Sequence, residues 1–455
     1  MVSRKEQFAK IWNHPVTKFL KGKWFFYILA IFILLAHFFP NFAGDDGMIR
    51  GQYSIGYGAV ACIFLNSGLN NKTKRLIAEI SNWRAHITVI LLSFFITSTI
   101  VFAFCCAIKS AHDKNMDDWV LVGFLLMAAS PTTVASNVMM TSQAGGNDLL
   151  CTCEVFIGNI LGAFVTPGII QLFTDSAYFK FGNPANQSSV RDVYRRVLFQ
   201  VGLTVFVPLA TGQIIQNVLP KLTQMYTTFL KRYHIKIGTY MLLLIMFNSF
   251  STAFKQRAFT DVSHVCIIFV CFFDLGLYLF FTGICFICAR PYFLLVIFKE
   301  EPVKGQSTKL YYYSYKLLRP FYYNKRDTVC LLYCGPAKTA ALGVSLVTSQ
   351  YGNEKANLGK MLLPLVLYQA IQVLSASFLV PLFKWWCSDE VAELEKQKAD
   401  LEKNPAGDGG YDDLSDQNER DGNNKEWGRI DMHPDQSTYD SKSPISSTIN
   451  ENASH

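Results

Sequence analysis

Hydroxyl and amide side chains gather around a proline inside an apolar stretch of this 455-residue chain, where residues 129–137 read ASPTTVASN. Proline removes a backbone donor and disturbs the preceding turn, and freed polar groups at membrane depth occur only inside protein or around a cavity. Hard cations take oxygen ligands such as these side chains and unwound carbonyls. We therefore predict an ion or solute site here, with a helix break at Pro131 and candidate ligands Ser130, Thr132, Thr133, Ser136 and Asn137.

A second proline-broken segment occupies the corresponding place in the other half of the chain. Residues 334–340 read CGPAKTA, so Gly335 and Pro336 form the break, and Lys338 and Thr339 are candidate ligands. Paired interruptions in corresponding halves are the best sequence pointer to a transporter binding site. The competing interpretation is that the Ser and Thr hydroxyls only hold helices together, as is common in membrane bundles.

Three charged residues, Glu154, Asp274 and Lys338, lie inside apolar stretches. A charge at the centre of a membrane helix costs about 2.5–3.5 kcal/mol on insertion scales, so each should face the protein interior and find a partner. We expect the Lys338 ammonium to pair with Glu154 or Asp274 and to occupy the place where another transporter holds a sodium ion. The alternative is a structural ion pair that fixes helix packing. Glu154 is a further candidate ligand, although its place near the start of its stretch also fits the membrane interface.

The sequence contains no motif of the common enzyme classes. A glycine-rich phosphate loop, His-Glu-x-x-His and Gly-x-Ser-x-Gly are all missing. The 12 cysteines are scattered through apolar runs without the spacings of zinc or disulfide frameworks, so we interpret them as small apolar groups. We therefore predict a non-enzymatic protein without catalytic residues, metal site or cofactor, and without a nucleic-acid partner.

Ten apolar stretches position these segments, and spanning a bilayer takes about 20 residues each. They form two sets of five, and each broken segment lies in the fourth stretch of its set. In chain order they are Trp24–Pro40, Ile55–Gly68, Ala85–Ala107, Trp119–Met140, Leu149–Phe173, Val197–Leu219, Ile237–Phe254, Val265–Ala289, Val329–Val347 and Met361–Phe383. The sequence therefore predicts an all-α membrane protein of ten transmembrane helices in the lipid bilayer, with broken fourth and ninth helices.

Charge is distributed unevenly along the chain. Residues 1–388 contain 35 Lys and Arg against 17 Asp and Glu, whereas residues 389–455 contain 7 against 17. Because positively charged loops stay in the cytosol and the loop 290–326 carries eight Lys and Arg, we expect both termini in the cytosol. The predicted domains are a cytosolic N-terminal arm at 1–23, a membrane domain at 24–384 and an acidic, disordered cytosolic tail at 385–455.

Two further predictions follow from this topology. The sequon Asn186-Gln187-Ser188 falls on the side away from the cytosol, so Asn186 is a predicted glycosylation site. The start of the tail, residues 390–403, is compatible with a short charged helix that continues the last span.

The chain resembles the bile acid:sodium symporter superfamily over nearly all of residues 24–383. The resemblance rests on FLNSGL at 64–69 with Lys72-Thr73, on Ser130-Pro131 with ASNV at 135–138, and on Gly146-Asn147 leading to Val165-Thr166-Pro167. Within the superfamily, RDTV at 326–329 and the stretch 338–343 are similar to the branch of the seventh vertebrate member and the fungal regulators of cytosolic calcium homeostasis.

This resemblance implies two inverted five-helix repeats, arranged as a panel domain and a core domain in which the fourth and ninth helices cross. It also implies a role in limiting calcium entry into the cytosol, at the plasma membrane in fungi and in secretory compartments in animals. The acidic tail favours the fungal case. We therefore expect a plasma membrane protein, with a secretory-pathway membrane as the alternative.

The chain departs from the sodium-coupled members at the ninth-helix break. Those members have a Glu-x-Gly-x-Gln-Asn motif where this chain has YCGPAK at 333–338, so an acidic ligand and two amides are replaced and Lys338 is introduced. In the fifth helix, Cys151 and Val155 align with hydroxyl-bearing ligand positions, while Ser136 and Asn137 keep the first-site pair. Bile acid transport coupled to two sodium ions is therefore not expected.

Three functions remain in competition. The first is a solute-carrier-like protein with an ion or solute site at the crossover, which restrains calcium influx. The second is a scaffold that transports nothing and inhibits a calcium channel, its partner, through the tail and the basic loop. The third is a sodium-coupled organic anion symporter.

Overall fold

The computed structural model describes residues 24–133, 135–183, 195, 199, 202–233, 237–299, 302, 308–340, 343–344, 347, 351 and 355–403. All regular structure within these ranges is helical, and they contain no β-strand. The prediction of an all-α protein is therefore confirmed for the described residues. Asn186 and the tail beyond residue 403 lie outside them.

The main helices of the first half follow the predicted apolar stretches. Their bounds are α1 Trp24–Phe38, α2 Gly58–Asn70, α3 Thr73–Ile80, α4 Trp83–Ser110, α5 Asp118–Ala129, α6 Ala135–Gln143 and α7 Asp148–Thr174. A π-helical segment, Leu91–Ile96, interrupts α4. α7 bends by 54° between Asp148–Gly162 and Phe164–Thr174.

The second half also contains long and broken helices. Its helices are α8 Gly202–Val218, α9 Pro220–Arg232, α10 Ile237–Lys255, α11 His264–Ala289, α12 Lys309–Leu318, α13 Lys325–Cys334, α14 Lys355–Trp386 and α15 Ser388–Lys403. The chain turns by 111° between α8 and Pro220–Leu230. The helix in the ninth predicted stretch begins at Lys325, four residues before the predicted start of that stretch at Val329.

Four helices of the described residues are long and apolar enough to cross a membrane, namely α4, α10, α14 and the region His264–Ile297. The number rises to six if α7 and the α8–α9 pair each count as one bent span. α1 and α5 are apolar but shorter. These helices fit a multi-pass membrane protein, and the ten-span inverted repeat stays a prediction.

Polar side chains mark where several of these helices begin. Asp117, Asn147, Ser263 and Asn324 each accept a hydrogen bond from a backbone N–H in the first turn of α5, α7, α11 and α13, respectively. Asp, Asn and Ser are favoured at this position because they satisfy a donor that the helix leaves open. The starts of the two helices nearest the breaks, α5 and α13, are therefore fixed locally.

The helices form two groups whose members pack mainly against one another. α1, α2, α8 and α10 pack together, while α4, α5, α7, α11, α13 and α14 surround the breaks. Glycines allow the closest approaches. A Cβ on Gly68 would lie 2.6 Å from the Leu209 carbonyl oxygen, and one on Gly123 would lie 2.5 Å from that of Met361. The α2–α8 and α5–α14 contacts therefore bring the backbones together, as in other membrane helix interfaces with small residues.

The segment predicted as tail begins with an ordered helix. α15 spans Ser388–Lys403, so the described part of the segment from 385 is helical rather than disordered. The Glu390 carboxylate accepts hydrogen bonds from the backbone N–H groups of Lys325 (2.9 Å) and Arg326 (3.2 Å), and Lys325 forms an ion pair with Asp389. The short charged helix predicted at 390–403 is therefore present, and the rest of the predicted tail lies outside the described residues.

Candidate functional site

The first break separates α5 from α6. α5 ends at Ala129, and Ser130 adopts an extended conformation with its hydroxyl donating to the Leu126 carbonyl (2.8 Å). Residues 131–133 are not helical. Asn137 donates to the Thr132 hydroxyl oxygen at 2.7 Å, which ties α6 back onto the break. The candidate ligands Ser130, Thr132, Thr133, Ser136 and Asn137 are all buried.

Carbonyl groups at the end of α5 have no helical partner, because the proline interrupts the backbone ladder. The Ala128 oxygen accepts from the Ser98 hydroxyl (2.7 Å) and from the Lys338 ammonium (2.7 Å). The Ala129 oxygen accepts from the Thr166 hydroxyl at 2.8 Å. Side chains from α4, α7 and the second break therefore replace the missing helical donors.

The second break touches the first. Residues 335–339 follow α13 as a turn and a segment without regular structure, and the Thr339 backbone N–H donates to the Pro131 carbonyl oxygen at 2.9 Å. Lys338 and Thr339 are buried with exposed fractions of 2% and 3%. The two proline-broken segments, more than 200 residues apart in sequence, thus form one polar centre.

α14 supplies the side chains that hold the second break. Gln372 accepts from the Lys338 N–H (2.8 Å) and donates to the Lys338 carbonyl (2.6 Å). Gln369 accepts from the Ala340 N–H at 2.5 Å, and the Tyr368 hydroxyl donates to the Pro336 carbonyl at 2.7 Å. Each partner replaces a backbone hydrogen bond that the break leaves open, so the non-helical backbone here is held in one conformation.

The Lys338 ammonium binds backbone carbonyls, which corrects the expected ion pair. It donates to the Ser93 carbonyl within the π-helical segment of α4 and to the Ala128 carbonyl at the end of α5. Among the described residues no ion pair joins it to Glu154 or Asp274. Both Asp274 carboxylate oxygens are buried without a hydrogen-bond partner in the described part of the chain. The lysine therefore occupies a carbonyl site at the end of a half-helix, where positive charge is favoured.

Glu154 has a different partner, His86 at the start of α4. The two side chains meet at 2.8 Å through Nδ1, and the Glu154 side chain is only 1% exposed. The other ring nitrogen, Nε2, faces the carbonyls of Glu79 (3.1 Å) and Ile80 (3.0 Å), so Nε2 must carry a proton. The Glu154–His86 contact joins α4 to α7, and both the role of Glu154 as a ligand and its depth in the membrane stay predictions.

Two polar oxygens near the first break have no hydrogen-bond partner among the described residues. These are Ser136 Oγ and Asn159 Oδ1, both buried. The Asn159 amide donates to the Thr132 carbonyl at 3.3 Å, and Thr132 in turn accepts from Asn137. Buried polar atoms without a partner are expensive and are found where a ligand or ion completes the site. Ser136 and Asn159 are therefore the best candidates for contact with a cargo.

The sequence over residues 23–385 matches the SBF-like CPA transporter family. The chain belongs to this family. The match covers both breaks and every helix from α1 to α14. The resemblance to the bile acid:sodium symporter branch is therefore confirmed, and the protein is a solute-carrier-like, multi-pass membrane protein.

Several relatives are similar to this family member over most of their length. Solute carrier RCH1 of Saccharomyces cerevisiae is 61% identical over 402 residues, which are 87% of this chain and 93% of the relative. Solute carrier RCH1 of Candida albicans is 52% identical over 88% of this chain and 98% of its own length. Sodium/bile acid cotransporter 7 of Rattus norvegicus is 26% identical over 81% of this chain and 94% of its own length.

Several residues of this SBF-like site were not predicted from the sequence, among them Ser93, Asn159, Gln369 and Gln372. Gln369 and Gln372 are amides inside an apolar stretch, a signal of the same kind that identified Asn137. Ser93 contributes its backbone carbonyl, and a carbonyl leaves no mark in the sequence. The amides were therefore accessible to sequence reasoning, and the carbonyl ligands were not.

Proposed function

We propose that this SBF-like family member is a plasma membrane carrier that restrains calcium entry into the cytosol, and that the paired breaks form its ion or solute site. The observation that carries the proposal is the Lys338 ammonium between the carbonyls of Ser93 and Ala128. Unwound carbonyls and half-helix C-termini are the groups with which transporters coordinate coupling cations. Lys338 supplies a fixed positive charge at such a place.

The fixed charge has a consequence for ion coupling. A cation held by the two carbonyls would have to displace an ammonium that is covalently attached to the chain. We therefore propose that the protein works without a sodium ion at this position, and that its effect on calcium entry is independent of external sodium.

The solute side of the site is proposed to lie around Ser136, Asn137 and Asn159. Asn137 and Asn159 both donate to Thr132, and the Ser136 and Asn159 oxygens have no protein partners in the described ranges. Oxygen atoms of this kind accept hydrogen bonds or coordinate a hard cation. A small polar solute or an ion is the cargo that fits, and its movement changes the driving force for calcium entry.

The calcium part of the proposal is supported by the resemblance to the fungal regulators of cytosolic calcium homeostasis and by the similarity to two fungal solute carriers. The test is radiolabelled calcium uptake into intact cells that lack the protein, compared with cells that express wild type or Ser136→Ala at matched surface levels. Ser251→Ala is the control, because Ser251 is also buried with an unpartnered hydroxyl but lies on α10. We expect wild type and the control to suppress uptake and Ser136→Ala to fail.

The same experiment separates the competing functions. If Ser136→Ala suppresses uptake as well as wild type and truncation after residue 403 abolishes suppression, the protein is a channel-inhibiting scaffold. If replacing external sodium with a large organic cation removes the effect, a sodium-coupled symporter is the better description. If wild type leaves calcium uptake unchanged, the calcium proposal is wrong.

A further inference from the structure

Three buried thiols from two helices lie close together on the N-terminal side of the second break. Cys151 belongs to α7, and Cys330 and Cys334 lie one turn apart on α13. The three sulfur atoms all lie within 4.8 Å of one another, and Cys151 Sγ is 3.4 Å from Cys334 Sγ. All three residues are fully buried. This cluster could not be predicted from the sequence, because Cys151 is about 180 positions away from its neighbours.

The spacing of the sulfur atoms suits a bound metal ion. A thiophilic ion lies about 2.3 Å from each sulfur, which places three sulfurs about 4 Å apart in a trigonal or tetrahedral arrangement. The cluster needs only small side-chain adjustments to reach these distances. Thiolates bind soft or borderline ions with a filled d shell, such as Cu⁺ and Zn²⁺, in preference to hard cations such as Na⁺, Mg²⁺ or Ca²⁺.

A fourth polar group faces the cluster. The Thr141 hydroxyl of α6 lies beside Cys151, is completely buried and makes no hydrogen bond of normal geometry in the described part of the chain. A buried hydroxyl without a partner is costly. The Thr141 oxygen is therefore placed to become a further ligand of an ion bound by the thiols.

Two acidic side chains, Glu79 and Asp327, lie close to the helices that carry the thiols. Asp327, Cys330 and Cys334 occupy positions i, i+3 and i+7 of α13 and therefore share one face of the helix. The Asn147 amide, one turn before Cys151, donates to Asp327 (2.9 Å) and to Glu79 (3.0 Å). Two carboxylates thus lie close to the start of α7, the helix that carries Cys151.

We propose that Cys151, Cys330 and Cys334 form a binding site for one thiophilic closed-shell metal ion, Zn²⁺ or Cu⁺. Each ligating thiol releases its proton when the ion binds. The ion joins α7 to α13, the helix that leads directly into Gly335 and Pro336. Occupancy therefore fixes the position of the second break relative to the fifth predicted span.

The test uses the purified full-length chain in detergent, reduced and kept without oxygen, with Zn²⁺, Cd²⁺ and Cu⁺ offered separately. The readouts are the metal that remains bound after desalting and the thiolate-to-cadmium charge-transfer absorption. We expect one ion per chain for wild type and for Cys105→Ser, which removes an equally buried thiol from α4. Cys151→Ser and Cys330→Ser should weaken binding by more than about 100-fold, beyond the effect of losing an outer-shell partner.

X-ray absorption on the wild-type protein keeps the proposal testable if a serine variant does not fold. About three sulfur neighbours around zinc or copper support the site, and the better-bound metal identifies the ion. A shell of nitrogen and oxygen neighbours overturns it. The proposal also fails if wild type binds no more metal than Cys151→Ser, or if mass spectrometry of the protein as isolated from cells finds a Cys151–Cys334 disulfide in place of a metal.

Discussion

Replacing Lys338 with methionine removes the ammonium charge but keeps an unbranched side chain of similar length, so the effect of the charge can be measured separately from that of packing. The substitution Lys338→Met removes two charge-assisted hydrogen bonds, each contributing about 1.5–3 kcal/mol. It also removes the cost of placing a charge at membrane depth, about 2.5–3.5 kcal/mol. The carbonyls that lose the ammonium keep other donors, since Ser93 accepts from Thr97 (2.6 Å) and Ala128 accepts from Ser98 (2.7 Å).

The two effects nearly cancel, so we expect Lys338→Met to lower the free energy of unfolding by about 0–3 kcal/mol. In a chain of this size that shifts Tm by less than about 10 °C. Function should respond differently, because a neutral side chain leaves the carbonyls without a cation. Suppression of calcium uptake should be lost while the protein still reaches the cell surface.

Thermal unfolding of the purified protein and calcium uptake in cells check the two halves of this prediction. Lys360→Met is the control, because Lys360 pairs with Asp117 at 2.7 Å in a partly exposed position, where ion pairs contribute about 0–1 kcal/mol. A Lys338→Met protein that suppresses calcium uptake like wild type refutes the functional reasoning. One that unfolds far earlier than Lys360→Met shows that the ammonium is mainly structural.

Three further predictions concern stability and are all measured by thermal unfolding. His86→Ala leaves the buried Glu154 carboxylate uncompensated and should cost about 3–5 kcal/mol, whereas combining it with Glu154→Gln should recover part of this loss; equal Tm values for the single and double variants would contradict the pairing. Gly123→Ala places a Cβ 2.5 Å from the Met361 carbonyl and should cost about 1–3 kcal/mol through overpacking, unlike alanine at the open position Gly276. Burial raises the pKa of Asp45 in the loop after α1, so ionisation opposes folding as the pH rises through that raised pKa. Asp45→Asn should therefore gain stability relative to wild type with increasing pH, and a constant difference would exclude this cause.

Sequence reasoning located the breaks better than it identified their partners. Pro131 and Pro336 are visible because proline is incompatible with a continuous helix, and non-helical backbone lies at both positions. The partner of Lys338 was predicted among carboxylates because only side chains can be read from a sequence. Its actual partners are the carbonyls of Ser93 and Ala128, which become available through a π-helical segment and a helix end.

Long-range proximity limits the rest of what a sequence can predict. The pairing of His86 with Glu154 and the meeting of Cys151 with Cys334 depend on how helices pack across many intervening residues. Periodicity within one helix specifies which face is apolar but not which neighbour covers it. The candidate ligands near Pro131 were therefore predictable as a group, whereas the thiol cluster was not.

The contact between Glu390 and the start of α13 links α15 to the helix that leads into the second break. α13 has ten residues and is therefore about 15 Å long. At its start the Glu390 carboxylate accepts hydrogen bonds from the backbone N–H groups of Lys325 and Arg326, and at its other end it is followed by Gly335. A ligand or modification that displaces α15 would remove both Glu390 carboxylate oxygens as acceptors at once. The start of α13 then loses two backbone hydrogen bonds, while the other end of the same helix leads to Lys338 and the carbonyls that it binds.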